Sequence, residues 1–492
     1  MIEESDKSDF RPGARAPKGF ADRRSGDIAA QRAIIEAVSA VYERYGFEPL
    51  DTGAFEYADA LGKFLPDAER PNAGVFALTD DDEQWMALRY DMTAPLARFA
   101  AENWQTLAKP FRRYAVGTVW RNEKPGPGRF REFIQCDADT VGSARPEADA
   151  EIIAMALEGL QAAGLGRDQA VIRINNRKLL NGLLTSAGVT DPGQRLAVLR
   201  AVDKLDRLGA EGVRYLLGEG RKDESGAFTP GAKLNARAAE QVLAFTAAGG
   251  GLRDEVLGRL GNIIGASAEG DEGLQELSMI SAALNSLGAG EDQATIEPSI
   301  VRGLEYYTGA VFEAELLLET LDEAGKPMRF GSIGGGGRYD DLVARFTGEQ
   351  APATGFSFGV SRLASALAAA GRAAAAPRGP VVIIAFDQAG MGDYFAACAQ
   401  LRNAGIAAEV YLGSSGMKAQ MKYADRRGSP AAVILGGDEL AAGTVTIKDL
   451  DLGRKLAQGM ADHGAWAQGR PGQQTIPRAG LVAAVRAIVD QA

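Results

Sequence analysis

The chain has 492 residues, enough for two or three domains with separate cores. Apolar content of 46% and charged content of 24% are ordinary for a globular protein, and a net charge of -11 argues against non-specific coating of nucleic acid while leaving room for a local basic surface. The single histidine, His463, lies near the C-terminus with no partner spacing around it, where a Ser-His-Asp triad, an HExxH zinc site and a histidine-rich metal site need more histidines or need one elsewhere, and Cys136 and Cys398 are too far apart in sequence to suggest a disulfide framework or zinc knuckle.

The acidic start Met1-Ile2-Glu3-Glu4-Ser5-Asp6 carries no apolar signal segment, and no apolar run approaches the roughly 20 residues of a membrane span. A cytoplasmic protein without membrane contact is expected. Ile28, Ile35, Val38, Val41 and Tyr42 recur at near-helical spacing and predict an amphipathic helix over 27–45. A strand is expected from Phe47 to Phe55.

Residues 110–142 read as a long β-hairpin about the turn Lys124-Pro125-Gly126-Pro127-Gly128. Period-two alternation puts Arg129, Arg131, Phe133, Gln135, Asp137 and Asp139 on one face of the return strand, with Phe130, Glu132, Ile134, Cys136 and Ala138 on the other. Arg121 and Glu123 share a face of the outgoing strand. Two readings stay open on pattern alone. One is an edge hairpin with a solvated face. The other is a binding floor, where guanidinium groups meet phosphate, Phe133 offers a stacking surface, and Gln135 and Asp139 orient a small polar ligand.

Residues 147–164 predict a helix. From 178 to 290 the pattern is mostly helical, broken at Gly218–Gly231 and Ala247–Gly251, and reads as an inserted subdomain. Strands are expected at 295–317, 328–334 and 354–359. Within this region lie Arg302-Gly303-Leu304-Glu305-Tyr306-Tyr307-Thr308-Gly309 and Gly334-Gly335-Gly336-Gly337-Arg338-Tyr339-Asp340. The glycines fit neither a Walker loop nor a dinucleotide fingerprint, and suggest a strand or turn that lets a ligand approach the backbone. Gly355–Leu363 reads as a strand entering a helix with Arg362 in its first turn.

The Ala-rich stretch 364–380, ending Pro377-Arg378-Gly379-Pro380, marks a linker. Beyond it, a strand at 381–386, a helix at 394–404, a strand at 408–412, a helix at 418–427 and a strand at 431–435 form βαβαβ, a small α/β domain with parallel pairing. Lys418, Lys422 and Arg426 recur every four residues, either as an ordinary solvated helix face or as a contact for an RNA backbone.

Several segments together resemble one family. Arg121-Asn122-Glu123, the turn, and Arg129-Phe130-Arg131-Glu132-Phe133 are similar to motif 2 of class II aminoacyl-tRNA synthetases, and Gly359-Val360-Ser361-Arg362 to their motif 3. The Arg302–Gly309 and Gly336–Asp340 segments resemble two stretches diagnostic of the histidyl family, and Leu88-Arg89-Tyr90-Asp91-Met92-Thr93-Ala94-Pro95 a third. The matched segments extend from about residue 18 to 492, almost the whole chain.

The resemblance implies an α/β protein. Its antiparallel-sheet catalytic core (1–177 and 291–370) carries a helical insertion (178–290), followed by a linker (371–380) and a βαβ-type anticodon-binding domain (381–492). It implies ATP-dependent attachment of L-histidine to tRNA(His) through a histidyl-adenylate, with ATP as substrate, Mg²⁺ on its phosphates, and a homodimer. Arg121 would hold the ATP α-phosphate, Glu123 the adenine and Phe133 its face. Arg362 would clamp the other adenine face and the γ-phosphate. Asp91, Thr93 and Gln135 would bind the amino end of histidine. Asp139 and Tyr307 would pair with the imidazole nitrogens beside Tyr306. Arg302 would contact histidine and stabilise charge developing on the α-phosphate. Lys124 and Arg129 would approach the acceptor end of the tRNA, and Lys418, Lys422 and Arg426 its anticodon arm. Asp203-Lys204-Leu205-Asp206 resembles a family segment within the insertion. Two departures stand out: Gly53 where motif 1 carries proline, and Pro and Gly where many relatives place polar residues in the motif-2 turn. The alternative is a non-catalytic paralogue, the regulatory subunit of ATP phosphoribosyltransferase, which usually lacks the C-terminal domain and the catalytic arginine segment.

Overall fold

A computed structural model describes residues 13–64, 74–126, 129–222, 226–301, 307–318, 320–321, 327–328, 330–372, 377–459 and 472–490. The chain divides into two compact units, Met1–Ala375 and Ala376–Ala492.

The first unit is built on an eight-stranded sheet. Its strands are β1 (Glu48–Pro49), β2 (Phe111–Trp120), β3 (Glu132–Val141), β4 (Ala170–Asn176), β5 (Ala294–Ile296), β6 (Ala310–Leu316), β7 (Ser332–Arg338) and β8 (Ala353–Gly359), in the spatial order β1-β2-β3-β8-β7-β6-β4-β5. The central pairs are antiparallel; only the end pairs β1/β2 and β4/β5 are parallel. Alternation along the strands sends Cys136, Ala138, Ile172, Ile174, Phe312, Phe356 and Phe358 into one apolar core. Helices α1 (Ser25–Arg44) and α3 (Pro146–Ala162) contribute Ile34, Val38, Val41, Ile152 and Met155 to that core. Two residues differ from the predicted stripe of α1: Ile28 is exposed, and Gln31 is buried, donating to Ser361 Oγ at 3.5 Å.

Residues 178–290 form mainly helices, with a short hairpin, Gly220–Lys222 and Phe228–Pro230, inside the stretch read as a polar break. Leu183, Val213, Leu217, Val256 and Leu277 of this region join the same core as the sheet. Arg253, 1% exposed, ties the region to β5 by donating to the Ala294 carbonyl at 2.8 Å and to Ser281 Oγ at 3.1 Å.

Two expected strands are interrupted. The one predicted from Phe47 to Phe55 is two separate elements: β1, and Phe55–Tyr57 in a small sheet with Ala77–Thr79 and Trp85–Leu88. The Leu50 N–H makes the last ladder bond, to the Tyr114 carbonyl at 2.8 Å, and the Thr52 carbonyl then turns to the Arg89 guanidinium at 2.7 Å. The one predicted over 295–317 is β5, ending at Ile296, and β6, starting at Ala310. There the Asn175 amide takes the Pro298 and Ile300 carbonyls at 3.0 and 2.8 Å in place of a strand partner.

The second unit holds a five-stranded sheet of β9 (Val381–Ile384), β10 (Ala408–Val410), β11 (Ala431–Ile434), β12 (Thr444–Asp449) and β13 (Gln473–Pro477), ordered β10-β9-β11-β12-β13. Its first three strands are parallel, and the apolar runs of β9 and β11 are continuous because both their faces are covered. The parallel pairing expected for the βαβαβ segment holds for these three strands, and two further strands outside it, β12 and β13, pair antiparallel. The connection from β11 to β12 is shorter than the dozen or so residues a parallel crossover needs. Among the described residues no helix is long and apolar enough to cross a membrane.

Candidate active site

The polar side of the large sheet follows from the alternation that built the core. Register opposes Asp139 to Arg113 on β2 and Gly355 on β8, Asp137 to Ala115 and Ser357, and Gln135 to Gly117 and Gly359. Carboxylate and amide side chains are thus flanked mostly by residues too small to fill the space above them. The result is a cavity of about 530 Å³. Gly355 is required there, since a Cβ would sit 1.9 Å from Asp139 Oδ1.

Asp139 is 2% exposed and held from two directions. Arg113 Nη2 lies 2.9 Å from its Oδ2, and the Tyr339 hydroxyl donates to Oδ1. Burial pushes its carboxyl above the ordinary range, against the pull of the guanidinium and the phenol. An ionised carboxylate has about four lone-pair sites, so acceptor capacity remains for a ligand N–H. Tyr339 is itself fixed by its neighbour: Arg338 Nη2 reaches Asp149 Oδ2 at 2.6 Å and donates to the Arg145 carbonyl at 2.9 Å, pinning β7 to the start of α3.

Asp91 stands just before helix α2 (Thr93–Glu102), where Oδ1 accepts the backbone N–H groups of Thr93 at 3.1 Å and Ala94 at 3.0 Å. Its carboxyl is raised by burial, opposed by those N–H groups and by Arg121. Arg121 donates to the Tyr90 carbonyl at 3.0 Å, with its guanidinium 5.2 Å from the Phe133 ring centroid. Arg362, in the first turn of the helix after β8, donates to the Phe330 carbonyl. Beside it, Ser361 Oγ accepts the Ile134 N–H at 3.1 Å, fixing the helix start against β3.

The structure brings most of the sequence-predicted site residues onto this one cavity. Asp91, Thr93, Gln135, Asp139 and Tyr307 line it, as do Arg121, Glu123, Phe133 and Arg362. Arg129 lines it from an exposed position, whereas Lys124 is exposed on the turn and is not part of the wall. Arg302 and Tyr306 lie outside the described residues, as do Pro127 and Gly128 of the turn. Lys418, Lys422 and Arg426 are exposed on the second unit's helix Met417–Arg426, while the adjacent Arg427 is ion-paired with Glu409 at 3.1 Å.

Sequence reasoning missed Arg113 and Glu313, quoted Tyr339 and Ser357 within motif segments without giving either a role, and left Asp137 without one. An arginine inside an apolar-flanked strand facing an aspartate-rich one was the available signal for Arg113. None marked Ser357 or Glu313. Among the described residues no group of three or more His, Cys, Asp or Glu side chains could hold a metal ion.

The cavity carries a cluster of aspartates, Asp91, Asp137 and Asp139, together with guanidinium groups of Arg121, Arg129 and Arg362. Such a wall suits a ligand set with one cationic or N–H-rich part and one polyanionic part. The family model for histidyl-tRNA synthetase matches residues 19–363, and that for the anticodon binding domain matches 380–468. The chain is 74% identical over 488 residues to a histidine--tRNA ligase of Caulobacter vibrioides, covering 99% of each chain. It is 55% identical over 489 residues to one of Cereibacter sphaeroides, covering 98% of this chain and 99% of that one. The crystal structure of histidyl-tRNA synthetase from Nostoc sp. PCC 7120 superposes with a TM-score of 0.71 at 29% identity, covering 98% of this chain and 100% of that one. An ATP phosphoribosyltransferase regulatory subunit/histidyl-tRNA synthetase from Bacillus halodurans shares the fold, with a TM-score of 0.65 at 22% identity over 84% of this chain and 97% of that one.

Proposed function

The chain belongs to the histidyl-tRNA synthetase family and attaches L-histidine to tRNA(His) in an ATP-dependent reaction through a histidyl-adenylate, and from that premise we propose how its residues divide the work. The observation that carries the assignment is the single cavity holding both the aspartate cluster and the guanidinium groups.

Histidine lies with its amino group toward Asp91, Thr93 and Gln135, and its imidazole toward Asp139 and Tyr307, with Tyr306 nearby. Asp139 accepts an imidazole N–H while Arg113 and Tyr339 hold its oxygens in place. A site that hydrogen-bonds ring nitrogens rejects side chains lacking them, because its own buried polar groups are then left unpaired. The adenine stacks on Phe133 and is read by Glu123, with Arg362 closing the other side and reaching the γ-phosphate.

The histidine carboxylate attacks the α-phosphorus, the bond to the β-phosphate oxygen breaks, and pyrophosphate leaves. Arg121 and Arg302 stabilise the negative charge that grows on the α-phosphate oxygens. The terminal ribose hydroxyl of the tRNA then attacks the activated carbonyl and AMP departs. No group of three or more carboxylates among the described residues could hold a metal ion, so Mg²⁺ would be carried mainly by the triphosphate, with Glu313 as the protein group that would hold it. When bound, Mg²⁺ neutralises the phosphates.

Lys124 and Arg129 meet the acceptor end of the tRNA, and the exposed stripe Lys418, Lys422 and Arg426 meets the backbone of the anticodon arm. Two copies associate as a homodimer, a reading supported by the exposed apolar residues Phe55, Tyr57 and Leu78 on one face of the small sheet. The enzyme works in the cytoplasm, where its tRNA is charged. The regulatory-paralogue alternative is not favoured, given the anticodon-binding match and the 74% identity to a ligase along the whole chain.

ATP–pyrophosphate exchange with each of the twenty amino acids tests the assignment. Exchange with histidine alone is expected; exchange with another amino acid and none with histidine would overturn it.

A further inference from the structure

Among the described cavity residues, Asp137 is the buried carboxylate to which the roles above give no task. It is 2% exposed and sits on β3 between Gln135 and Asp139, on the same face of the strand. Ser357 opposes it on β8. Gln135 Nε2 donates to Ser357 Oγ at 2.6 Å, and Ser357 lies directly across from Asp137 in the strand register. This bond fixes Gln135, while Gln135 Oε1 and Asp137 Oδ1 stay buried without a hydrogen-bond partner.

The row around them leaves room in front. Ala115 lies beside Asp137 on β2, and Gly335 lies beyond Ser357 on β7, where a Cβ would meet nothing nearer than 3.6 Å. Burial pushes the Asp137 carboxyl up to about 7; Arg113 on β2 opposes the shift, while Asp139 and Asp91 add to it. Buried acceptors without donors cost free energy in the empty site, and that cost is sustained where a ligand supplies the donors. An ammonium group is the matching ligand chemistry, with three N–H donors and no acceptor.

We propose that Asp137 accepts a hydrogen bond from the α-ammonium of bound histidine, beside the Asp91, Thr93 and Gln135 already turned toward that group. Ser357 is the positioning residue that holds Gln135 and lies across from Asp137. The proposal rests on the reading that histidine occupies this cavity.

The wild-type enzyme is assayed first: failure to exchange pyrophosphate with histidine counts against that reading and leaves Asp137 out of account. With exchange in hand, Asp137→Asn should raise the KM for histidine about tenfold to a hundredfold, the range of a hydrogen bond to a charged group, and leave the KM for ATP nearly unchanged. The Tm of the free protein should stay level or rise, because the amide removes a carboxylate repelled by Asp139 and Asp91. Ser357→Ala should act in the same direction and less strongly. Inhibition by histidinol, which keeps the ammonium, should weaken in parallel with histidine, while inhibition by imidazolepropionate, which lacks it, should not change. An unchanged histidine KM overturns the proposal. So does an equal loss for imidazolepropionate, or a loss shared by histidine and ATP together with a lowered Tm. Should the amide variant not fold, Asp137→Ser carries the same measurements with the same meanings.

Discussion

Replacing Asp139 by Asn tests the imidazole end of the site and the architecture beneath it together. Arg113 is 1% exposed, and its guanidinium has two contacts here: Asp139 at 2.9 Å and the Met92 carbonyl at 2.9 Å. Asparagine keeps an oxygen for the Tyr339 hydroxyl but turns an amide toward a buried guanidinium, so a positive charge is left without its counter-ion. Breaking a buried pair in this way costs about 3–5 kcal/mol. For a unit of this size each kcal/mol lowers the Tm by about 2 °C, so a fall of about 6–10 °C is expected by calorimetry. In pyrophosphate exchange the KM for histidine should rise by about a hundredfold or more, since a charged acceptor for the ring N–H is lost, while the KM for ATP should move little. Tyr339→Phe keeps the charge and removes only one donor, so it should destabilise less, by about 1–3 kcal/mol. A lowered Tm with an unchanged KM for histidine would make Asp139 a purely structural residue, and no change in either would refute the buried-pair argument.

Arg302→Ala should slow adenylation by roughly a hundredfold or more while ATP binding changes less, and Arg302→Lys should also be poor because a point charge cannot replace a planar fork. Single-turnover kinetics alongside ATP titration checks this, and equal losses in both would contradict a transition-state role. Removing residues 380–492, a unit with its own apolar cores, should spare histidyl-adenylate formation and damage tRNA charging; a folded, dimeric truncation unable to exchange pyrophosphate would refute modularity. The raised carboxyl of Asp137 sets a pH dependence. A carboxyl raised on folding contributes stability that is complete below about pH 4 and is lost as pH rises through about 7. The Tm of the free wild-type protein should therefore fall more steeply from pH 5 to 8 than that of Asp137→Asn, and parallel curves would contradict it. The turn Lys124–Gly128 has Pro125, Gly126, Pro127 and Gly128, none with a side-chain donor or acceptor for a base edge. Charging of two transcripts that differ only in an extra 5′ nucleotide should accordingly differ by much less than a hundredfold, the factor of about 3 kcal/mol that a well-read base contact gives.

What the sequence determined by itself was periodicity. Alternation alone placed Phe133, Gln135, Asp137 and Asp139 on one face of a strand, and the structure puts all four on the cavity wall. The continuous apolar run at 381–384 announced a strand buried on both faces, as β9 is. The four glycines at 334–337 announced a strand that leaves space, as β7 does at Gly335. Strand interruptions were less legible, because the break between β5 and β6 depends on Asn175, over 120 residues earlier, capturing loop carbonyls. The partners within the site were set by tertiary structure alone. Asp139 meets Tyr339 across 200 residues of chain, and Gln135 meets Ser357 across 222. Period-two alternation says which face a side chain occupies, but not which strand will lie beside it or in what register. Those are decided when helices from both ends of the first unit close over the apolar side of the sheet. That closure leaves the polar side as a hollow lined by Asp91, Asp137 and Asp139, the last held by Arg113 and Tyr339.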